Sequence, residues 1–341
     1  MVTAALVKTI TALNVQEWDG EPIKRPGVYS GIPLDLYHSA DICVEPSISS
    51  SGLRLIYSPF PWVKASPAHY WCQSPYNPDA KEDDEEKEAF ILGRAAHHLL
   101  FGEAAFHELF VVRPLTINGE AWHGNKTICK LWLEKQRDAG LCVLTPDHLK
   151  RIKGIARELA KEPLINDPEG KRSGILNGYI EHSWFFKHRT GVWIKVRPDA
   201  TPNDSLDFVD LKLTRSVMWP DMQRTIRDLG YFQQAGLTAM AVKAILGQPV
   251  NSYSFVFAEN EEPHCIDFVT LKENEIQRGV EACEIAINRF AKCMRENRWP
   301  GPRGDRADAQ YIEFSKADQE RIDEQLAIER KELESGEVGR G

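Results

Sequence analysis

Three neighbouring runs decide the fold: YIEHSWFF (179–186), GVWIKVRPD (191–199) and SLDFVDLKL (205–213). Each is short and rich in aromatic and β-branched residues, and KHRT and TPND between them are turn-like, so the stretch predicts a three-stranded meander. Asp199 follows the second strand. Asp210 and Lys212 lie two apart on the third, so their side chains share one face. Phe208, Val209, Leu211 and Leu213 make that strand apolar, and an unpaired charge there would be costly. Two carboxylates and a lysine on neighbouring strands suit cation-assisted hydrolysis of a phosphodiester. Carboxylate oxygens bind hard cations such as Mg²⁺. The cation stabilises charge on the attacking and leaving oxygens. The lysine positions the water or meets the developing charge. Asp-x-Lys also arises by chance as a surface ion pair. The apolar strand and the preceding Pro198-Asp199 lift this one above that background.

Upstream, residues 1–26 lack periodicity and read as an arm. In 44–68, Ser49, Ser50 or Ser51 would cap a short helix carrying Leu53, Leu55 and Ile56. From 85 to 110 apolar residues recur at helical spacing (Phe90, Ile91, Ala95, His98, Leu99). Further helices are predicted near 125–138 and 145–161, the latter opening with Thr145-Pro146-Asp147. Downstream come helices at 217–228 and 231–246, strands at 251–258 and 265–271, and a long helix over 273–297. A linker at 300–309 precedes a charged helix at 315–335, so 306–341 reads as an acidic helical tail after a domain over 27–305.

The 341 residues suffice for one large domain or two ordinary ones, and 42% apolar content supports a sizeable core. The net charge of −8 at first disfavours a nucleic-acid partner. It is concentrated, however, in 79–88 (seven acids, two bases) and 313–341 (nine acids, five bases), and the remaining body is almost neutral. The seven cysteines are odd in number and contain no C-x-x-C pair, against a disulfide framework or a zinc ribbon. No run is long and apolar enough for a membrane span, and the N-terminus has no signal-peptide pattern, so the cytoplasm is the expected setting.

Pro198-Asp199 with Asp210-Leu211-Lys212 resembles the PD-(D/E)xK nuclease signature. Gly93-Arg94-Ala95-Ala96-His97 resembles a helix motif of its RecB-like and RecE-like branch, and Gly230-Tyr231-Phe232-Gln233-Gln234-Ala235 that branch's later Y-x-x-Q helix. The stretch Tyr37-His38, Ile48-Ser49-Ser50-Ser51-Gly52-Leu53 and Ser66-Pro67-Ala68-His69-Tyr70 is similar to the start of RecE-type (exonuclease VIII) nuclease domains. The resemblance spans about 27–300 and implies an α/β restriction-endonuclease-like core, a central mixed β-sheet flanked by helices, with N-terminal helical additions. It further implies a Mg²⁺-dependent exonuclease, with Mn²⁺ substituting. The enzyme would digest linear double-stranded DNA 5′ to 3′ by two-metal-type chemistry. It would serve phage or prophage recombination as a homo-oligomeric ring and hand a 3′ single strand to an annealing protein.

Carried over residue by residue, His97, Asp199, Asp210 and the Leu211 carbonyl would hold the metal, and Lys212 would be the catalytic lysine. Tyr231 and Gln234 would sit beside the site. For His97 the competing reading is a packed helix histidine. Glu181, on the first meander strand, would bind a second metal through water or be a plain exposed carboxylate. Arg94, Arg197, Arg215 and Arg227 are candidate phosphate contacts, and Ser50 and Ser51 candidate contacts to the DNA terminus beside their capping role.

Other classes lack their residues. The Gly170-Lys171 pair is followed by Arg172, so there is no Walker A motif, and there is no G-x-S-x-G. No histidine is followed two positions on by an acid, which removes the common two-histidine, one-carboxylate pattern. An iron–sulfur nuclease would need clustered cysteines, and Cys283 and Cys293 are too sparse. A non-catalytic DNA-binding protein with a decayed site conflicts with the intact Asp–Asp–Lys set.

Overall fold

The computed structural model describes residues 13–80, 88–100, 106–165, 178–180, 182–202 and 205–335. Two compact units result, Met1–Pro302 and Arg303–Gly341. In chain order the first unit carries β1 (Val15–Glu17), β2 (Gly27–Ser30), α1 (Leu34–His38), β3 (Ser47–Ser49), α2 (Ser50–Ile56), α3 (Pro67–Trp71) and α4 (Glu88–Leu100). Then come α5 (Phe106–Leu109), β4 (Phe110–Val112), a small hairpin of β5 (Thr116–Ile117) and β6 (Glu120–Ala121), α6 (Thr127–Asp138), β7 (Cys142–Leu144) and α7 (Pro146–Leu159). The third part holds β8 (Gly178–Ile180), β9 (Ser183–Lys187), β10 (Trp193–Val196), β11 (Ala200–Pro202) and β12 (Asp207–Thr214). It ends with α8 (Trp219–Asp228), α9 (Tyr231–Leu246), β13 (Ser252–Glu259), β14 (Ile266–Thr270) and α10 (Glu273–Glu296). No helix among the described residues is long and apolar enough to cross a membrane.

Two five-stranded sheets form the framework, one ordered β1-β2-β9-β10-β3 and the other β14-β13-β12-β11-β8. The expected three-stranded meander is divided between them. β9 and β10 pair antiparallel, as a meander requires. β12 instead pairs antiparallel with β11 and runs parallel to β13 over its full length. The chain changes sheets at Arg197-Pro198, where proline offers no N–H to a ladder and restricts the residue before it. The run 179–186 divides likewise, with β8 in the second sheet and β9 in the first. The expected arm, 1–26, is described from residue 13. There it supplies β1, parallel to β2, and the buried Ile23.

β12 alternates faces. Phe208 points into the main core with Trp184, Ile194, Leu237, Phe255 and Phe290. Val209 and Leu211 pack on the other side against Ile155 and Leu159 of α7. Asp210 and Lys212 therefore share the Phe208 face, toward α9. α9 is apolar nearly all round because it is packed nearly all round. Its backbone touches α10 at two glycines: a Cβ on Gly279 would stand 2.0 Å from the Phe232 carbonyl oxygen. α4 packs Leu92, Ala95 and Ala96 against Phe106, Phe110, Leu144 and Ile152, which fixes the helix that carries His97.

The second unit contains α11 (Lys316–Ser335), started by Ser315, whose hydroxyl accepts from the Asp318 N–H at 3.2 Å. Tyr311, Ile312 and Phe314 before it are exposed.

Candidate active site

β12 places Asp210 and Lys212 side by side, and they form an ion pair although Asp210 is only 1% exposed. Gln234, on the first turn of α9, donates from Nε2 to Asp210 Oδ1 at 2.6 Å. Tyr231, three residues earlier, sets its ring 4.7 Å from the Lys212 ammonium. Asp199 stands where the chain crosses between sheets. Its Oδ2 accepts the Leu211 N–H at 2.8 Å, and its Oδ1 lies 3.2 Å from His97 Nδ1. His97 Nε2 is 3.1 Å from the Leu211 carbonyl oxygen. Four elements far apart in sequence thus converge on one carboxylate pair.

The charges follow from these contacts. Burial alone would raise Asp199, but His97, Lys212 and the Leu211 N–H hold its carboxyl below the usual range. Burial and then Asp199 push Asp210 up to about 6, against the pull of Lys212. Burial works against the Lys212 charge, yet Asp210, Asp199 and Tyr231 outweigh it and raise its pKa. His97 is also raised, because Asp199 overcomes the effect of burial. Both His97 nitrogens face oxygen acceptors, and only an imidazolium can donate to both.

A cleft of about 280 Å³ opens on this centre, lined among others by Asp199, Lys212, Gln234, Arg197, Ser50 and Ser51. The expected cap at Ser49–Ser51 takes a different form. Ser49 is the N-cap of α2 without a side-chain capping bond, and its hydroxyl pairs with that of Ser51 at 3.0 Å. Ser50 Oγ is buried with no hydrogen-bond partner among the described residues. Arg197 donates to the Ile32 carbonyl at 3.0 Å on the cleft wall. The other arginines are not drawn into the cleft. The Arg94 guanidinium lies 5.5 Å from the Phe110 ring, Arg227 pairs with Asp228 at 2.7 Å, and Arg215 is exposed after β12. Glu181 lies outside the described residues.

The residue pattern did not point to Arg54 or Lys195, and gave no site role to His38 of the Tyr37-His38 motif; all three line the same cleft. Arg54 donates to the Leu229 carbonyl at 2.5 Å and stands 5.9 Å over the Tyr231 ring. Lys195 is 3% exposed, donates to the Tyr37 carbonyl at 2.6 Å, and is pulled down to about 8 by burial. A lysine among Trp193, Ile194 and Val196 carries the same signal as Asp210, a charge inside an apolar strand.

The donors at this centre fit a divalent cation. They are two carboxylates, one carbonyl and one imidazole, the oxygen-rich set of a hard ion. Lys212 and, when protonated, His97 offset the carboxylate pair, and burial is the first cause that keeps the Asp210 carboxyl high. No group of three or more His, Cys, Asp or Glu among the described residues is already arranged as an ion cage. A cation at His97 would have to displace the imidazolium proton.

A family profile described as PDDEXK-like domain of unknown function (DUF3799) matches residues 57–311. No curated protein matches the chain. A crystal structure described as a "putative exonuclease" from Eubacterium rectale has a similar fold, with a TM-score of 0.55 at 14% identity, over 83% of this chain and 96% of that one. At that identity the likeness speaks for the fold, and it fits the restriction-endonuclease-like architecture.

Proposed function

The chain belongs to the PDDEXK-like family, and from that premise we propose that it is a Mg²⁺-dependent exonuclease of RecE type on linear double-stranded DNA. The observation that carries the reading is the convergence of His97, Asp199, Asp210, Lys212 and Gln234 on one centre, three of which line a cleft. A divalent cation held by Asp199, Asp210 and the Leu211 carbonyl would supply Lewis-acid charge at the scissile phosphate and would lower the pKa of the attacking water. The protein's own groups do the positioning. The Leu211 N–H fixes one oxygen of Asp199 and leaves the other toward His97. Gln234 fixes Oδ1 of Asp210 and leaves Oδ2 toward Lys212. The Lys212 ammonium, steadied by the Tyr231 ring, meets the negative charge that grows on the phosphate. Ser50, Ser51 and Arg197 line the wall where the strand would lie.

Digestion runs 5′ to 3′ in this reading. It leaves 3′ single strands for an annealing protein in phage or prophage recombination, in the cytoplasm, and the enzyme works as a homo-oligomer. The test is linear duplex labelled at either the 5′ or the 3′ end, with Mg²⁺ and with EDTA. Early release of the 5′ label in Mg²⁺ alone is the expected result. Early release of the 3′ label would reverse the polarity, and rapid cutting of closed circles would replace exonuclease by endonuclease.

A further inference from the structure

A second, largely apolar hollow of about 820 Å³ has a lining that includes Phe60, Trp219 and Arg227. Phe60 and Trp62 stack with ring centroids 5.3 Å apart and planes at 29°. The Arg227 guanidinium lies over both rings, 5.0 Å from Trp62 and 5.8 Å from Phe60. Trp62 is anchored through Nε1 to Asp228 Oδ1 at 2.9 Å, yet it is 60% exposed, and Trp219 at the other end of α8 is 61% exposed. Two exposed tryptophans, one at each end of α8 and one of them part of an aromatic and guanidinium stack, ask for a partner.

We propose that this rim is a stacking platform for an unpaired stretch of nucleic-acid strand next to the scissile phosphate, an inference that rests on the nuclease reading above. Three features select this occupant. Aromatic faces joined by a guanidinium plane are the chemistry that holds unpaired bases without regard to sequence. Trp219 and Trp62 flank the two ends of α8, whose ten residues rise about 14 Å, room for about four bases at 3.4 Å. The Trp62 end of the platform is tied to the same chain segment that reaches the cleft. Asp228 holds Trp62, Leu229 holds Arg54, and Tyr231 faces Lys212. Three peptide steps of about 3.8 Å separate Asp228, which anchors Trp62, from Tyr231, which faces Lys212, so a strand leaving the site would meet Trp62 within a few nucleotides.

The experiment compares full-length wild type, Trp62→Ala, Trp62→Phe and Trp219→Ala in EDTA, by fluorescence anisotropy. The probes are a blunt duplex and the same duplex with an oligothymidine tail. Loss of one base stack is expected to lower the ratio of tailed to blunt affinity by on the order of 5- to 100-fold in Trp62→Ala, and Trp62→Phe should restore most of it. Trp219→Ala, which removes no hydrogen bond, should lower the same ratio and covers the case in which Trp62→Ala fails to fold. A ratio within about twofold of wild type in folded alanine variants overturns the platform, even if the wild type cuts DNA. Equal loss on both probes also overturns it. A change of sedimentation in the alanine variants assigns the rim to a second copy and overturns it as well. Wild type that binds neither probe removes the nuclease reading itself.

Discussion

Asp210→Asn takes one ionisation out of the centre of the site and changes the side chain's size very little. Burial and Asp199 push the Asp210 carboxyl from 3.8 up to about 6. At about 1.4 kcal/mol per pH unit, ionising it in the fold costs about 3 kcal/mol relative to the unfolded chain. The folded pKa lies above the unfolded one. The associated stability is therefore fully present below about pH 3.8 and is lost as pH rises through about 6. Asparagine mimics the protonated carboxyl, keeps an Oδ1 for Gln234, and does not titrate. Without divalent cation, variant and wild type should be similar near pH 4, and the variant more stable by about 3 kcal/mol near pH 7. Urea unfolding in EDTA, followed by circular dichroism at matched pH, gives the difference. Adding Mg²⁺ at neutral pH should narrow it, because cation binding favours the native wild type. If the wild type gains on the variant as pH rises, the Lys212 ion pair outweighs burial and the charge account of the site is wrong. A flat difference refutes it equally.

Lys212→Ala should keep its fold by circular dichroism and lose single-turnover cleavage by about 10²–10³, the usual cost of one electrostatic element in a preorganised site. Gly230→Ala should lower the urea midpoint by an amount worth about 1–3 kcal/mol. The residue has φ +66°, and a Cβ would stand 2.7 Å from both Arg54 Cδ and Gln233 Oε1. Truncation after residue 305 should leave single-turnover cleavage near wild type, since Met1–Pro302 is a compact unit by itself.

The Asp210–Lys212 register was legible because it is local. Asp210 and Lys212 share a face by strand period alone, and the surrounding Phe208, Val209 and Leu211 announce burial. The helices around the site were legible from periodicity and from start signals such as Thr145-Pro146. What the sequence concealed is long-range. The meander reads as one sheet because hydrophobic pattern is blind to which ladder a strand joins, and Pro198 was the only local mark of the change. Arg54 reaches the cleft from a helix that packs against α9 some 175 residues later, a contact no spacing rule contains. Lys195 could have been found by the argument applied to Asp210, a charge in an apolar strand, and was masked by the motif beside it.

We propose that the Asp199–Asp210–Lys212 centre cuts phosphodiesters with a divalent cation. The most direct test is single-turnover digestion of linear duplex by wild type and by folded Asp210→Asn, each in Mg²⁺ and in EDTA. Wild type should cleave in Mg²⁺ alone, with the variant slower by orders of magnitude. Digestion in EDTA, or a folded variant within about threefold of wild type in Mg²⁺, against the expected loss of about 10²–10³, would contradict it.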